Sequence, residues 1–276
     1  MSLFITSLNS GSNGNCYYVG TNDEAVLIDA GISCRETEKR MKRLGLTMDK
    51  VKAIFISHEH SDHIRGVEVL SRKFNLPVYI TPVTLKHSGM FLLPELNRTF
   101  KAYEEIIIGG LTIKSFPKFH DASDPYSFIV SGKGINIGVL TDIGTACEHV
   151  MQNFKLCHAA FLEANYDEHM LQNGHYPYHL KQRVSSDKGH LSNTQSLEIF
   201  LNHRSEFLTH IFLSHLSRDN NDPKLVKDLF LKHAGKTNVI IASRDNETDV
   251  YEITGTHSSV EKVKRQQSQI IQTSLF

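Results

Sequence analysis

Five predicted strands in this chain each end at a histidine or an acidic side chain. The residues at or directly after these strand ends are His58, His120, Asp142, Glu163 and His215. One such placement arises easily by chance, whereas five indicate a single site that several strands support. We therefore expect a fold that brings these strand ends to a common edge, because rigid scaffolds commonly carry chemistry there.

The spacing of apolar and β-branched residues predicts many strands with helices between them. Predicted strands cover residues 3–8, 15–19, 25–29, 53–57, 78–80, 105–108, 111–116, 126–130, 135–141, 159–163, 210–214, 239–242 and 249–253. Predicted helices cover residues 34–44, 64–74, 145–153, 194–201 and 223–233. This mixture favours an α/β (α+β) class with two sheets packed face to face and helices outside them, rather than one parallel doubly wound sheet.

The composition fits one large folded unit. The chain has 276 residues, of which 40% are hydrophobic, and no repeat or linker divides it. We therefore predict a single domain over residues 1–254, followed by a polar and basic tail over residues 255–276. The formal net charge is +0, so the chain lacks the global basic field that often marks nucleic-acid binding, although a local basic rim would suffice.

Cysteine usage and the apolar runs bear on location. The 4 cysteines are scattered and none forms a CxxC pair, which indicates a reduced protein with ordinary buried thiols. The sequence shows neither a basic-then-apolar leader nor an apolar run long enough to cross a bilayer. We therefore expect a cytoplasmic protein with no membrane partner.

The stretch FISHEHSDHIRG places His58, His60, Asp62 and His63 directly after a predicted strand. Imidazole suits zinc, iron and manganese, and carboxylates add charge and bridge two cations. His58 and His60 alternate, so both can reach one cation, whereas Asp62 and His63 lie beyond a half turn and face a second. We expect Glu59 to be a solvated side chain without a role.

The pattern predicts two divalent cations, zinc or manganese. The expected ligands are His58, His60 and His120 for one cation, Asp62, His63 and His215 for the other, and Asp142 between the two sets. Two cations about 3.5–4 Å apart hold a water molecule and an anionic oxygen for in-line attack on phosphorus. The arrangement therefore favours hydrolysis of a phosphate ester.

The segment SHEHSDH resembles the HxHxDH signature of the metallo-β-lactamase superfamily. The later segments FPKFHDASDP, LTDIG and FLSHLSRDNN are similar to the successive metal motifs of that superfamily, and VLIDAG resembles its early strand. The resemblance implies a four-layer αββα sandwich with a dinuclear metal site, and it implies that Asp29 supports a metal ligand. Oxygen-reducing di-iron relatives carry an acid at the position of His60, so the resemblance implies a hydrolytic site.

Two further segments resemble ribonuclease Z. AAFLEANYDEHM resembles its glutamate-bearing segment, and GHLSNTQSLEIF resembles its later histidine-bearing helix start. The resemblance implies that Glu163 orients His190, which protonates the leaving oxygen or contacts the scissile phosphate, while Asp62 helps to steer the attacking hydroxide. Ser192 and Asn193 lie at a predicted helix start, which suits either a phosphate or plain N-capping.

The spacing of the motifs leaves no room for two known insertions. The interval from His120 to Asp142 is too short for the tRNA-grasping arm of ribonuclease Z, and the interval from Asp142 to His215 is too short for the β-CASP domain of ribonuclease J-like enzymes. The segments SGSNGNC, HDASDPYSFIV and YPYHLKQRVSSDKGHLSN resemble the compact YycJ/WalJ group of bacterial proteins. That resemblance implies a DNase, specifically a 5′-to-3′ exonuclease.

Several residues near His190 supply a predicted substrate rim. Lys181 and Arg183 offer positive charge, and Tyr176 and Tyr178 offer rings on which bases can stack, so we predict contacts with a nucleic-acid strand. The resemblance to the YycJ/WalJ group implies DNA in preference to RNA. Three alternatives stay open. The chain is a hydrolase of a small ester, thioester or cyclic phosphodiester, an RNA-processing nuclease, or a metal-holding scaffold without catalysis.

Overall fold

The computed structural model describes residues 2–255 and contains two seven-stranded sheets. The strands are β1 (Ser2–Asn9), β2 (Cys16–Gly20), β3 (Ala25–Ile28), β4 (Val51–Phe55), β5 (Val78–Tyr79), β6 (Asn97–Arg98), β7 (Glu105–Ile108), β8 (Leu111–Pro117), β9 (Tyr126–Gly132), β10 (Ile135–Leu140), β11 (Ala159–Glu163), β12 (His210–Ser214), β13 (Asn238–Ile241) and β14 (Tyr251–Thr254). The helices are α1 (Cys34–Arg43), α2 (Ser61–Ile64), α3 (Val67–Phe74), α4 (Pro82–Ser88), α5 (Glu148–Phe154), α6 (Glu168–Asn173), α7 (Tyr178–Val184), α8 (Asn193–His203) and α9 (Pro223–Leu231), and a 3-10 turn covers Met48–Lys50.

The strand order places the predicted ligand-bearing strands next to one another. The first sheet has the order β14-β1-β2-β3-β4-β5-β6, and the second has the order β13-β12-β11-β10-β9-β8-β7. Strands β3 to β6 are parallel, as are strands β10 to β13. Parallel neighbours end at the same edge of a sheet, so the residues after β10, β11 and β12 lie side by side.

A hydrophobic core lies between the two sheets. On β11, Ala159 and Phe161 belong to this inner core, whereas Ala160 and Leu162 belong to the core under the helices of the second sheet. This alternation follows from the two-residue period of a strand that is covered on both faces. The ring of Phe161 lies 4.8 Å from that of Tyr17 on the first sheet, so the sheets meet directly at this point.

Helices cover the outer face of each sheet. Met41 of α1 and Leu70 of α3 pack in the outer core of the first sheet. Phe200 of α8 and Phe230 of α9 pack in the outer core of the second sheet, with their ring centroids 5.4 Å apart. The predicted four-layer αββα sandwich is therefore confirmed.

The structure differs from the predicted helices in two respects. The predicted helix over residues 64–74 is divided into α2 and α3 at Gly66, where a Cβ atom would lie 2.1 Å from the carbonyl oxygen of Ile32. The short helices α4, α6 and α7 were not predicted, because short helices of this kind give little apolar periodicity. Helix α7 has no buried residue at all.

The single domain over residues 1–254 stays a prediction, and the predicted tail over residues 255–276 lies outside the described residues apart from Gly255. Among residues 2–255, none of the helices combines the length and the apolar character that crossing a bilayer requires.

Candidate metal centre

The predicted ligands come together at one edge of the sandwich, between the two sheets. Asp29 follows β3, and His58 lies just beyond β4 in the first sheet, while Asp142 and His215 follow β10 and β12 in the second. Asp29, Asp142 and His215 have φ angles of 60°, 55° and 56°, so the chain leaves all three strands in the left-handed conformation. This turn separates each side chain from the strand before it and directs the chain into a loop.

All seven predicted metal ligands lie in overlapping groups whose ligand atoms are within 4.8 Å of one another. The four groups that contain them are His58, His60 and His120; Asp62, His63 and His215; His58, His63 and Asp142; and Asp142, Glu163, His190 and His215. His58 Nε2 lies 3.1 Å from His60 Nδ1, and Asp62 Oδ2 lies 3.6 Å from the Nε2 atoms of both His63 and His215. Two of the four groups have the same members as the two predicted sets, one joins members of both sets, and one adds Glu163 and His190.

Asp142 lies between the two sets. Its Oδ2 is 3.2 Å from His63 Nε2, and its Oδ1 is 3.8 Å from His120 Nε2. Its Oδ1 is also 3.3 Å from His215 Nδ1. A single buried carboxylate is thus within reach of ligands from both groups, which is the arrangement that a shared ligand requires.

Hydrogen bonds on the first sheet fix the orientation of two histidines. Asp29 Oδ2 accepts from His63 Nδ1 at 2.7 Å and from the Ser57 hydroxyl at 2.8 Å. Because the Ser57 proton goes to Asp29, Ser57 Oγ accepts from His58 Nδ1 at 2.9 Å. Both rings therefore carry their proton on Nδ1 and present Nε2 to the centre, as ligand histidines commonly do. Asp29 thus contacts a ligand, as predicted, and does not face the centre itself.

Hydrogen bonds on the second sheet do the same for two more histidines. His120 Nδ1 donates to the carbonyl oxygen of Gly189 at 3.0 Å, and His215 Nδ1 donates to Glu163 Oε1 at 2.9 Å. Both acceptors lack a proton, so Nε2 of each ring is the free atom. These hydrogen bonds hold both rings in an orientation that suits a cation before one binds.

The donor set fits divalent cations. Among the residues that the structure describes, the buried atoms without a hydrogen-bond partner include His120 Nε2, His215 Nε2 and Asp142 Oδ2. Buried polar atoms are costly unless they have a partner, and a cation supplies one for all three. Histidine-rich groups with a few carboxylates suit zinc and also accept manganese.

Electrostatics favour positive charge in the centre. Burial opposes ionisation of Asp142, but the nearby His215 and His63 hold the pKa of its carboxyl well below its usual value. Burial also opposes protonation of His63, but Asp142, Asp29 and Asp62 raise its pKa to about 10. The carboxylates thus hold protons on neighbouring rings, and a cation would displace these protons when it binds.

Glu163 and His190 lie together, as the resemblance implied. His190 Nδ1 donates to Glu163 Oε1 at 2.8 Å, and Glu163 Oε2 accepts from the backbone of Ile143 at 2.6 Å. Burial raises the pKa of Glu163, but His190 and His215 outweigh it and lower the pKa to about 2. Glu163 therefore orients two histidines, whereas only the contact with His190 was predicted.

The two predicted basic rim residues differ in position: Arg183 lies near the predicted metal ligands, and Lys181 lies in a groove. Arg183 on α7 donates from Nε to Asp121 Oδ2 at 2.5 Å, and Asp121 Oδ1 lies 3.3 Å from His120 Nε2. Arg183 is therefore one side chain away from the centre. Lys181 donates to the carbonyl oxygen of Gln172 and lines a groove between α6 and α7.

Ser192 and Asn193 are buried and their side chains are engaged internally. Ser192 caps α8 in a capping box with Gln195, and Asn193 exchanges hydrogen bonds with Asn221 at 2.9 Å. The N-capping alternative is therefore present at Ser192, and contact of these two buried residues with substrate stays a prediction.

Glu59 is held in place, contrary to the expected solvated side chain. Its Oε1 accepts from the backbone N–H of Ser123 at 2.7 Å, so it fixes the loop that follows His120.

Two further residues near the centre were not predicted. Lys118 is buried and donates to the carbonyl oxygen of Thr141, next to Asp142. Asn15 donates to Asp62 Oδ2 at 3.1 Å.

The sequence offered only weak signals for Lys118 and Asn15. Lys118 lies two residues before His120, within a strand end that was already assigned to the site. Asn15 lies in the segment SGSNGNC, which contains the residue types of a tight turn between strands. The spacing of such a segment does not indicate that it contacts the HxHxDH motif, which lies far away in the sequence.

Comparison with known proteins agrees with this geometry. The exodeoxyribonuclease YycJ of Bacillus anthracis is 34% identical over 230 residues, which cover 82% of this chain and 87% of that protein. The exodeoxyribonuclease WalJ of Streptococcus pneumoniae is 34% identical over 225 residues, which cover 79% of this chain and 83% of that protein.

A solved structure shares the fold. The metallo-beta-lactamase fold protein YhfI from Bacillus subtilis superposes with a TM-score of 0.70 at 14% sequence identity, covering 91% of this chain and 100% of that one. In the sequence itself, residues 10–147, which hold the HxHxDH motif, His120 and Asp142, match the metallo-beta-lactamase superfamily. On the sequence match, the shared fold and the clustered ligands together, this chain belongs to the metallo-β-lactamase superfamily.

Proposed function

We propose that this protein is a cytoplasmic exodeoxyribonuclease that depends on two divalent cations, zinc or manganese, and degrades DNA from its 5′ end. The observation that carries the proposal is Asp142, a buried carboxylate between two groups of ligands. The 34% identity with two exodeoxyribonucleases over most of the chain supports DNA as the substrate. The four free cysteines support a reducing compartment.

The proposed cation ligands follow the two groups in the structure. His58, His60 and His120 would hold one cation, Asp62, His63 and His215 would hold the other, and Asp142 would be available to both. When bound, the two cations would activate a water molecule and neutralise charge on the scissile phosphate. The protein contributes the fixed orientation of the rings, which Asp29, Ser57, Gly189 and Glu163 determine by hydrogen bonds.

Among the other side chains, His190 has the position of a general acid. Its Nδ1 proton is donated to Glu163, so Nε2 is its second protonation site, and the doubly protonated ring can give the Nε2 proton to the leaving oxygen. Its side chain is 17% exposed, whereas that of Glu163 is fully buried. His190 therefore reaches both the buried centre and an approaching substrate. In this proposal Asp62, which is 16% exposed, helps to position the attacking oxygen.

Helix α7 supplies the proposed substrate track. Arg183 lies next to Asp121 and hence near His120, and its side chain is 57% exposed, so it is open to a backbone phosphate. A groove of about 460 Å³ lies beside the same helix and is lined by Tyr166, Tyr178 and Lys181, among others. Tyr178 is 76% exposed and offers a ring on which an unpaired base can stack.

A digestion panel tests the function. The purified protein, loaded with zinc or manganese, is incubated with single- and double-stranded DNA and RNA, each with a 5′-phosphate or a 5′-hydroxyl, and with small esters, thioesters and cyclic phosphodiesters. We expect release of nucleotides from the 5′ end of DNA, faster than from RNA. Rapid turnover of a small substrate without cleavage of nucleic acid would overturn the proposal, and faster cleavage of RNA would overturn its DNA preference.

A further inference from the structure

A series of hydrogen bonds, which we call the relay, connects the two halves of the metal centre through the loop between β1 and β2. The relay is buried except at its last bond. The backbone N–H of His215 donates to Ser10 Oγ at 2.7 Å, and Ser10 Oγ lies 2.8 Å from the hydroxyl of Tyr17. The Tyr17 hydroxyl donates to Asn15 Oδ1 at 3.2 Å, and Asn15 Nδ2 donates to Asp62 Oδ2 at 3.1 Å. The chain thus runs from β12 of the second sheet to α2 beside the first.

The chemistry of the donors fixes the direction of every bond in this chain. A backbone N–H only donates, so Ser10 Oγ accepts from His215. The Tyr17 hydroxyl donates to Asn15 Oδ1, so it accepts a hydrogen bond from the Ser10 hydroxyl. Asn15 Oδ1 also accepts from the backbone N–H of Gly11 at 3.0 Å, which identifies it as the carbonyl end of the amide. The amino end of Asn15 therefore points towards Asp62 and also lies 3.0 Å from His63 Nε2.

The series is isolated from solvent as far as Asn15. Ser10, Asn15 and Tyr17 all have 0% exposure, so water does not compete for the hydrogen bonds between them, and only the last bond, to Asp62, is partly exposed. The ring of Tyr17 is held against Phe161 in the core between the sheets, which restricts the position of its hydroxyl. Hydrogen bonds in such a dry, connected series are stronger and more directional than exposed ones.

We propose that Asn15 is a positioning residue for the metal centre. Its amino group fixes the rotation of the Asp62 carboxylate, and the relay through Tyr17 and Ser10 makes that rotation depend on the position of His215. The inference rests on the proposed function, because Asp62 and His215 are proposed ligands there. Asn15 itself is not proposed to touch the substrate.

The side-chain contacts of Asn15 are separable from its backbone contacts. Its backbone N–H donates to the carbonyl oxygen of Asp62 at 2.7 Å, and its carbonyl oxygen accepts from Gly31 at 2.8 Å. The loop is further anchored at Asn9, whose Oδ1 accepts from Arg40 at 2.7 Å. A change in the side chain of Asn15, or in the hydroxyl of Tyr17, therefore leaves these anchors in place.

The experiment compares Tyr17→Phe and Asn15→Ala with Tyr18→Phe as the matched control. Tyr18 is the next tyrosine along β2, but its side chain packs in the outer core under the helices, away from the relay. Each full-length protein is loaded with cobalt(II), and its visible absorption spectrum is recorded. Zinc affinity is measured by competition with a chelating dye, and kcat and KM are measured with the digestion substrate.

We expect Asn15→Ala to weaken zinc binding by about 10- to 100-fold, the range that is typical for loss of a residue that orients a ligand. Tyr17→Phe should change the cobalt spectrum in the same direction by a smaller amount. Both variants should lower kcat and leave KM unchanged, since neither residue contacts substrate, and Tyr18→Phe should match the original protein.

Spectra and zinc affinities equal to those of the original protein in both relay variants would overturn the inference, even if their melting temperatures fall. If Asn15→Ala does not fold, Tyr17→Phe decides, because it removes a single oxygen atom. The metal measurements do not depend on the substrate. Altered spectra in a protein that cleaves no DNA would therefore support the role of Asn15 while overturning the proposed function.

Discussion

The metal centre and the rim helix α7 differ in almost every physical respect. Asp142 and Glu163 in the centre are 1% and 0% exposed, and each contacts several other side chains of the site. On α7, Tyr178 is 76% exposed, and the helix buries none of its residues. Packed strands determine the positions of the proposed catalytic groups, whereas a short surface helix carries the groups that are proposed to bind substrate. Changes in the centre should therefore affect metal binding and kcat, and changes on the rim should affect KM.

The largest effect is expected for Asp142→Ala. The substitution removes the carboxylate that lies between the two ligand groups and leaves His63 and His215 with one charged partner fewer. We expect kcat to fall by at least about a thousandfold, as happens when a central electrostatic group is lost. The rise in melting temperature on addition of zinc should also shrink, since it reports metal binding to the folded state.

Metal analysis, thermal unfolding with and without zinc, and the nuclease assay measure this outcome. Asp49→Ala is the control, because Asp49 is an exposed acid in the 3-10 turn. If the Asp142→Ala protein keeps two bound cations and full turnover, the expectation that changes in the centre affect metal binding and kcat is wrong.

His190→Ala tests a residue at the border of the two regions. Its contact with Glu163 is partly exposed, and it belongs to neither proposed ligand set. We expect kcat to fall by about 10²- to 10⁴-fold, which is typical for loss of a general acid, while both cations stay bound. Metal content and kcat are measured beside His87→Ala, which alters an exposed histidine on α4. Loss of a cation would place His190 among the ligands.

Tyr178→Ala should act on binding alone. Stacking of one base on an aromatic ring contributes about 1–3 kcal/mol, so KM for single-stranded DNA should rise roughly tenfold while kcat changes little. Tyr178→Phe keeps the ring and should keep KM. Steady-state kinetics and quenching of a fluorescent base near the 5′ end measure the effect. An equal loss in both variants would show that the hydroxyl, not the ring, carries the contact.

The smallest effect is expected for Arg183→Ala. Arg183 is exposed and already pairs with Asp121, so its loss should raise KM only severalfold at low salt. The slope of log KM against log salt should become shallower by about 0.7 if one phosphate contact to a single strand is lost. Arg183→Lys retains the charge and should retain the slope. An unchanged slope in Arg183→Ala would remove Arg183 from the substrate track.

The centre was largely predictable because its ligands are of rare types at strand ends. His58, Asp142 and His215 each follow an apolar run, and parallel strands bring such ends together without further information. Three predicted strands, Glu105–Ile108, Ala159–Glu163 and His210–Ser214, agree with the structure at both ends. The αββα arrangement follows from the same runs, since strands buried on both faces need helices outside them.

The contacts that cross between distant segments were not predictable. Asn15 contacts Asp62 from a loop that resembles any polar turn, and Glu163 contacts His215 in addition to His190. Helix α7 gives no apolar stripe, so its pattern did not distinguish it from a loop. Both contacts join segments that are far apart in the sequence, which a local pattern does not contain.

The left-handed backbone at Asp29, Asp142 and His215 has a consequence for attempts to make this protein more heat-stable. A residue other than glycine in such a conformation costs of order 1–3 kcal/mol, and three of them stand at one site. Glycine at these positions would relieve the backbone, and a search for stabilised variants would favour it. Glycine would also remove a proposed metal ligand, Asp142 or His215, or the Asp29 carboxylate that orients His63. Resistance to heat and turnover therefore place opposite demands on the same three positions.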